Sequence, residues 1–161
     1  MTPRDTDRQR VEDAEIAAFG GTDLEEERSW DEVTSILHAV VLTPWWTQLE
    51  VPAPVLRPAR ADARRSSADG RTIRICRGGR TAYTVAHELA HHLVVHLPPG
   101  GPGHGPAFRA AALRTVAVVG GTEARDVLAE EWRRWGVPPG SWHRSEPPPG
   151  PGLALGGVIA L

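Results

Sequence analysis

Apolar residues recur along this chain at two periods, one helical and one extended, and the changes between them mark out its elements. Residues 5–19 carry Val11, Ile16 and Phe19 in a charged background, and Gly20-Gly21 ends the run, so a charged helix is expected there. Ser29 followed by Glu32 has the form of a capping box that opens a helix through "WDEVTSILHAVVL". Trp30, Val33, Ile36, Leu37, Val40 and Val41 make its apolar stripe until Pro44 intervenes. From Trp45 to Cys76 the pattern changes. "WWTQLEV", "PVLRP" and "RTIRIC" are short, β-branched or alternating, which predicts about three strands, with "ARADARRSSADG" as a mobile loop.

The helical period returns over 81–96, "TAYTVAHELAHHLVVH", and "LPPGGPG" stops it. A further helix starts near Pro106 and carries Phe108, Ala112, Leu113 and Val116 to Gly120-Gly121. "TEARDVLAEEWRRWG", with Thr122 as cap, is a last amphipathic helix whose apolar side is Val127, Leu128, Trp132 and Trp135. Beyond Val137 there are six prolines and no periodicity, so 137–161 is expected to be a disordered tail. The fold class is α+β, with helices packed on a small sheet. The expected organisation is an acidic helical segment 1–29, a core 30–136 and the Pro/Gly-rich tail 137–161, and 161 residues suit one core rather than two.

Composition narrows the picture in two places. The single cysteine, Cys76, excludes an internal disulfide and a cysteine-based zinc knuckle. The N-terminus has no apolar region of a signal peptide and the longest apolar run, "LALGGVIAL", is too short for a bilayer, so a cytoplasmic protein with no membrane partner is expected. Residues 57–80 hold eight arginines against Asp62 and Asp69 and could contact phosphates. Three observations argue against nucleic acid as the partner: no aromatics interleave there, all eighteen basic residues are arginine as in a GC-rich coding sequence, and residues 1–32 hold eleven acids able to neutralise the stretch.

Chemistry concentrates in 81–96, where four of the seven histidines fall within ten residues. Residues four apart on a helix differ by about 40° and about 6 Å, so His87 and His91 face one ion, and neutral imidazoles suit zinc. Glu88 flanks the open coordination position, where a carboxylate takes a proton from water attacking a carbonyl and returns it to the leaving amine. This is the HExxH pattern. Seven His and twelve Glu placed at random would yield it in about 2% of such chains, so an accidental match is the weaker reading.

Candidates for the third ligand are His92, His96, His104 and the carboxylates Glu123, Asp126 and Glu130. His92 lies about 100° from His91 around the helix and His96 about 140°, so neither reaches the same ion. His92 is read as a partly exposed or hydrogen-bonded neighbour and His96 as a helix-end histidine favoured by the dipole. The long metzincin pattern needs glycine at position 94 and histidine at position 97, which hold Val94 and Leu97. His104 lies in "GPGHGPAFR", within reach through residues 97–103, and is favoured as the third ligand of a single zinc ion. Tyr83 is read as a core aromatic, Arg109 as an ordinary surface arginine, and the six tryptophans as core and tail anchors.

"HELAHH" followed by "HGPAF" resembles the SprT-like metallopeptidases, and the layout around it, with "TPWW" ahead of a small sheet, resembles a family of small bacterial metallohydrolases sharing that core. The resemblance covers about residues 30–136 and its specific part is 87–108. It implies a minimal zincin fold, zinc on His87, His91 and His104, hydrolysis of peptide bonds with Glu88 as base, and a protein or peptide substrate. "HELAHHLVVH" also resembles the ImmA/IrrE-like regulatory proteases, which implies an acidic third ligand, Glu123 first among the candidates. A zinc-containing binding module without catalysis is the other alternative.

Overall fold

The computed structural model describes residues 5–155, an α+β fold of five helices and a three-stranded mixed sheet. The end of the predicted tail, 156–161, lies outside the described residues. Helix α1 spans Arg8–Phe19, and a 3-10 turn follows at Asp23–Glu25. Helix α2, Trp30–Val41, carries the full predicted capping box: Glu32 N–H donates to Ser29 Oγ at 3.2 Å and Ser29 N–H to Glu32 Oε2 at 2.8 Å. Its stripe holds, with Val33, Ile36, Leu37 and Val40 buried.

The first predicted strand, "WWTQLEV", is instead helix α3, Pro44–Leu49. Thr43 Oγ1 accepts from Trp46 N–H at 3.2 Å and Pro44 occupies the first turn, so a cap and a pre-set φ outweigh the β preference of two tryptophans. The other two strands form as β1, Val55–Pro58, and β3, Thr72–Ile75. The third comes from the predicted loop as β2, Ser67–Ala68. β3 is central: β1 pairs with it in parallel, Val55 opposite Thr72, and β2 antiparallel, Ala68 opposite Ile73. Ile73 and Ile75 point from β3 into the core.

Helix α4, Ala82–His96, is capped by Thr81, whose Oγ1 accepts from Thr84 N–H at 3.0 Å. It is the hub, packed against by α2, α5, the 3-10 turn Asp23–Glu25 and the sheet, and Val85, Ala86, Leu89, Ala90 and Leu93 are all buried. Helix α5, Pro106–Arg134, runs along it, and the buried Thr115 hydroxyl donates to Ala86 O at 2.8 Å to fasten the pair. Gly121 breaks α5 with φ 90° and ψ 174°, at the double glycine where two helices are predicted. Among the described residues no helix is long and apolar enough to cross a membrane.

Neither flank is separate from this core. Val11, Ala14 and Phe19 of α1 are buried in it, so the acidic segment 1–29 is not a unit of its own. The expectation of a disordered tail is also corrected. Residues 137–155 hold no helix or strand of length, yet they form a strap packed on the core, with Val137 and Leu155 buried. The break at Gly121 explains why the strap stays down. It frees backbone groups that the strap then satisfies: Leu153 N–H donates to Val119 O at 3.0 Å, Thr122 N–H to Gly150 O at 2.9 Å, and Gly150 N–H to Thr122 Oγ1 at 3.0 Å. Trp45 Nε1 adds a bond to Ser145 O at 2.8 Å.

Gly121 is therefore required on two counts: its φ favours glycine, and a Cβ there would lie 2.6 Å from the Pro151 carbonyl. Gly121→Ala is expected to lower stability by about 2–4 kcal/mol, read as a lower urea midpoint at unchanged slope. An unchanged midpoint would mean that the strap does not hold the break in solution.

Candidate metal centre

Helix α4 and the first turn of α5 bring three imidazoles together. His87 and His91 stand one turn apart on α4, and His104 sits in the loop just before Gly105, the N-cap of α5. His91 Nε2 lies 3.2 Å from His87 Nε2, and His104 Nε2 lies 3.3 Å from His87 Nε2. Ligand atoms of these three residues all fall within 4.8 Å of one another, so the group can hold a metal ion. Two donors on a tetrahedral ion bonded at about 2.0–2.1 Å stand about 3.3–3.4 Å apart, which the observed spacings match.

The protons on the rings give an independent test. Asp5 Oδ2 is 2.6 Å from His104 Nδ1 and also accepts from His104 N–H at 3.2 Å. A carboxylate only accepts, so Nδ1 carries the proton and Nε2 presents a lone pair. Glu15 Oε1 stands 3.4 Å from His87 Nδ1, an ion-pair distance that favours the same tautomer, although neither atom closes a hydrogen bond there. His104 Nε2 thus presents its lone pair toward His87 Nε2 at 3.3 Å, where a cation would take both nitrogens as donors. The donor set fits a metal.

Phe108, one helical turn after His104 and fully buried, forms the apolar wall of the site. Its ring stacks on His91 with centroids 4.3 Å apart and lies 4.8 Å from His87 and 4.9 Å from His104. This burial tunes charge. It pushes the His91 imidazole down to about 2, with repulsion from His87 and His104 adding, so His91 is a neutral donor. Burial acts on His87 in the same sense, but the carboxylates of Glu15, Glu88 and Glu12 outweigh it and raise the imidazole above its ordinary value. Burial raises Glu88, opposed by His87 and assisted by Glu15.

Glu88 is 5% exposed, its Oε2 is buried with no hydrogen-bond partner among the described residues, and it lines a cleft of about 900 Å³ together with all three histidines. One side of that cleft is α1, with Glu12 and Glu15, and the other is the segment Ala63–Ala68.

The remaining candidates fall elsewhere. His92 is fully buried rather than partly exposed, bonds Pro52 O through Nε2 at 2.7 Å and stacks on Trp46. His96 Nε2 donates to Gly70 O at 2.7 Å, tying the end of α4 to the turn between β2 and β3. Glu123 lines a separate groove beside Leu24 and Leu155, Asp126 pairs with Arg125, and Glu130 pairs with Arg133 and Arg134. The acidic third ligand is thus not what this fold brings to the two α4 histidines.

Arg109 is the clearest correction. At 3% exposure it is no surface arginine. Its Nη1 donates to His104 O at 2.7 Å and to Asp7 Oδ2 at 3.0 Å, and its Nε to Pro138 O at 2.9 Å, so one guanidinium ties the ligand loop, the N-terminal segment and the strap together. Sequence reasoning also leaves Asp5 and Glu15 unassigned. The only signal available for them is a surplus of acids in residues 1–32, which does not say which acid meets which histidine.

One metal ion per chain is expected, lost in His104→Ala and retained in Glu123→Ala, as measured by metal stoichiometry on purified protein. Asp5→Asn and Glu15→Gln should each keep the ion but weaken it by about 10- to 100-fold in a chelator competition. Wild-type affinity in both would show that these carboxylates do not orient the rings. No protein-family model, no curated protein and no solved structure matches this chain.

Proposed function

We propose that this protein is a zinc-dependent metallopeptidase with a minimal zincin-like core, in which His87, His91 and His104 hold the ion and Glu88 is the general base. The observation that carries this reading is the placement of Glu88: a buried carboxylate with a free oxygen, one residue past the first of three convergent imidazoles and on the wall of the same cleft. Three imidazole nitrogen donors suit zinc and leave a position open. Zinc bound there supplies a Lewis acid that polarises a carbonyl and acidifies water.

The chain's own residues supply the rest. Glu88 Oε2, raised in pKa by burial, accepts the proton of the attacking water and delivers it to the departing amine nitrogen. Phe108 keeps bulk water from the rear of the imidazoles, so charge inside the site is weakly screened. Asp5 and Glu15 hold ring tautomers, and Arg109 fixes the carbonyl of the ligand loop. An extended peptide is the substrate class that the cleft favours. β2 stands at the edge of the sheet and Ser67 and Ala68 line the cleft, so its outer backbone edge is available to pair with a strand.

Glu88→Gln keeps the shape of the side chain and removes its basicity. Metal content should be unchanged while hydrolysis of casein or a mixed peptide library falls by at least about 10²-fold. Equal activity in wild type and variant, or none in either, would point to a metal-containing binding module instead.

A further inference from the structure

When the charged groups of the cleft are matched to partners among the described residues, one carboxylate is left over beside the α1 wall, and one arginine, Arg64, on the 63–68 side. Glu12 is held by Arg8 at 2.8 Å and by Arg65 at 2.9 Å. Asp5 holds His104, Glu15 stands against His87, and Glu88 is assigned to proton transfer. Glu25 also lines the cleft, and among the described residues its side chain has neither an ion pair nor a hydrogen bond. Its position is nonetheless fixed. The 3-10 turn that carries it is anchored by the buried Leu24 and by Arg28 Nη2, which donates to Asp23 O at 3.0 Å.

A second, independent feature lies on the same wall. Tyr83 is 5% exposed, lines the cleft, and its hydroxyl is buried with no hydrogen-bond partner among the described residues. Phe19 at 4.9 Å and His87 at 5.9 Å hold the ring in place. A buried hydroxyl left unmatched is costly, and one that lines an open cleft is placed to meet a ligand. The surroundings set the sign of that ligand. The carboxylates of Glu15, Glu25 and Glu88 line the same cleft as the Tyr83 hydroxyl. Glu25 is exposed at the rim, yet desolvation by the wall raises its carboxyl, and Glu15 adds to the effect. Negative groups collected on one wall of a partly dry cleft attract a positive one.

We propose that this wall is a subsite for a cationic side chain, lysine or arginine, of the peptide substrate, with Glu25 as its counter-ion and the Tyr83 oxygen as a second acceptor. The inference rests on the reading of the cleft as a peptide channel. It adds a specificity residue, Glu25, that lies outside the HExxH helix and outside the ligand loop. A substrate acid in the same place would meet Glu25 and Glu15 and be rejected by like charge.

The test measures binding, so it does not depend on turnover. Metal-loaded Glu88→Gln protein is titrated with fluorescent alanine-based decapeptides that carry one lysine moved stepwise along the chain, and with matched peptides carrying glutamine or glutamate. In one register lysine should bind about three- to tenfold tighter than glutamine, with glutamate weakest. Adding Glu25→Gln should erase the preference, Tyr83→Phe should reduce it, and Glu27→Gln, away from the cleft, should leave it intact. No lysine preference in any register, a preference that survives Glu25→Gln, or a series that does not bind would each overturn the subsite. Cleavage assays on wild type separate the two readings. A lysine preference in binding without cleavage of any peptide sinks the hydrolase and keeps the subsite, whereas cleavage indifferent to lysine does the reverse.

Discussion

Three imidazoles brought together at one point by α4 and the loop before α5 are the constraint around which this molecule is arranged. His91 and His104 bring their Nε2 atoms to 3.2 and 3.3 Å from His87 Nε2, while Asp5 bonds the far side of the His104 ring and Glu15 stands 3.4 Å from that of His87. The energy to hold them comes from packing elsewhere. Phe108 fills the space behind all three rings, Thr115 fastens α5 to α4, and Arg109 fixes the loop that carries His104. A binding site held by its surroundings rather than by its own contacts is preorganised, so an incoming ion does not have to order it.

The same logic accounts for the flanking segments. A helix as charged as α1 gains little from packing alone, with few apolar side chains to bury, yet it covers the site and its acids meet the histidines. Burying Glu15 and Glu88 beside one another would be unfavourable without positive charge nearby, and the imidazole cluster is where that charge belongs. Asp7 and Pro138 both bind Arg109, so the N-terminal segment and the start of the strap are tied to the ligand loop through one guanidinium. The exposed pairs around the rim, such as Arg60 with Asp62, contribute little beside this.

Much of the local structure was legible in the residues because its causes are short-range. The capping box at Ser29 and Glu32, the His87–His91 spacing and the break at Gly120-Gly121 each depend on neighbours within one helical turn, and each appears where expected. The segment 45–51, where a strand is expected, is decided by equally local causes: Thr43 and Pro44 start a helix more firmly than two tryptophans favour a strand. β2 was harder to see, since two residues in a polar loop become a strand only because β3 offers them a partner.

By itself, then, the sequence determined which residues have the chemistry to hold an ion and which carboxylate stands beside them, because helical periodicity converts spacing into direction. Only the tertiary structure decided that Asp5 and Glu15 stand against the His104 and His87 rings, that Arg109 is buried as a clamp, and that a proline-rich segment without periodicity is a packed strap. Those outcomes pair groups that are distant along the chain. Such pairings are set by which surfaces the core leaves adjacent and which buried polar groups still need a partner, and no local pattern encodes either.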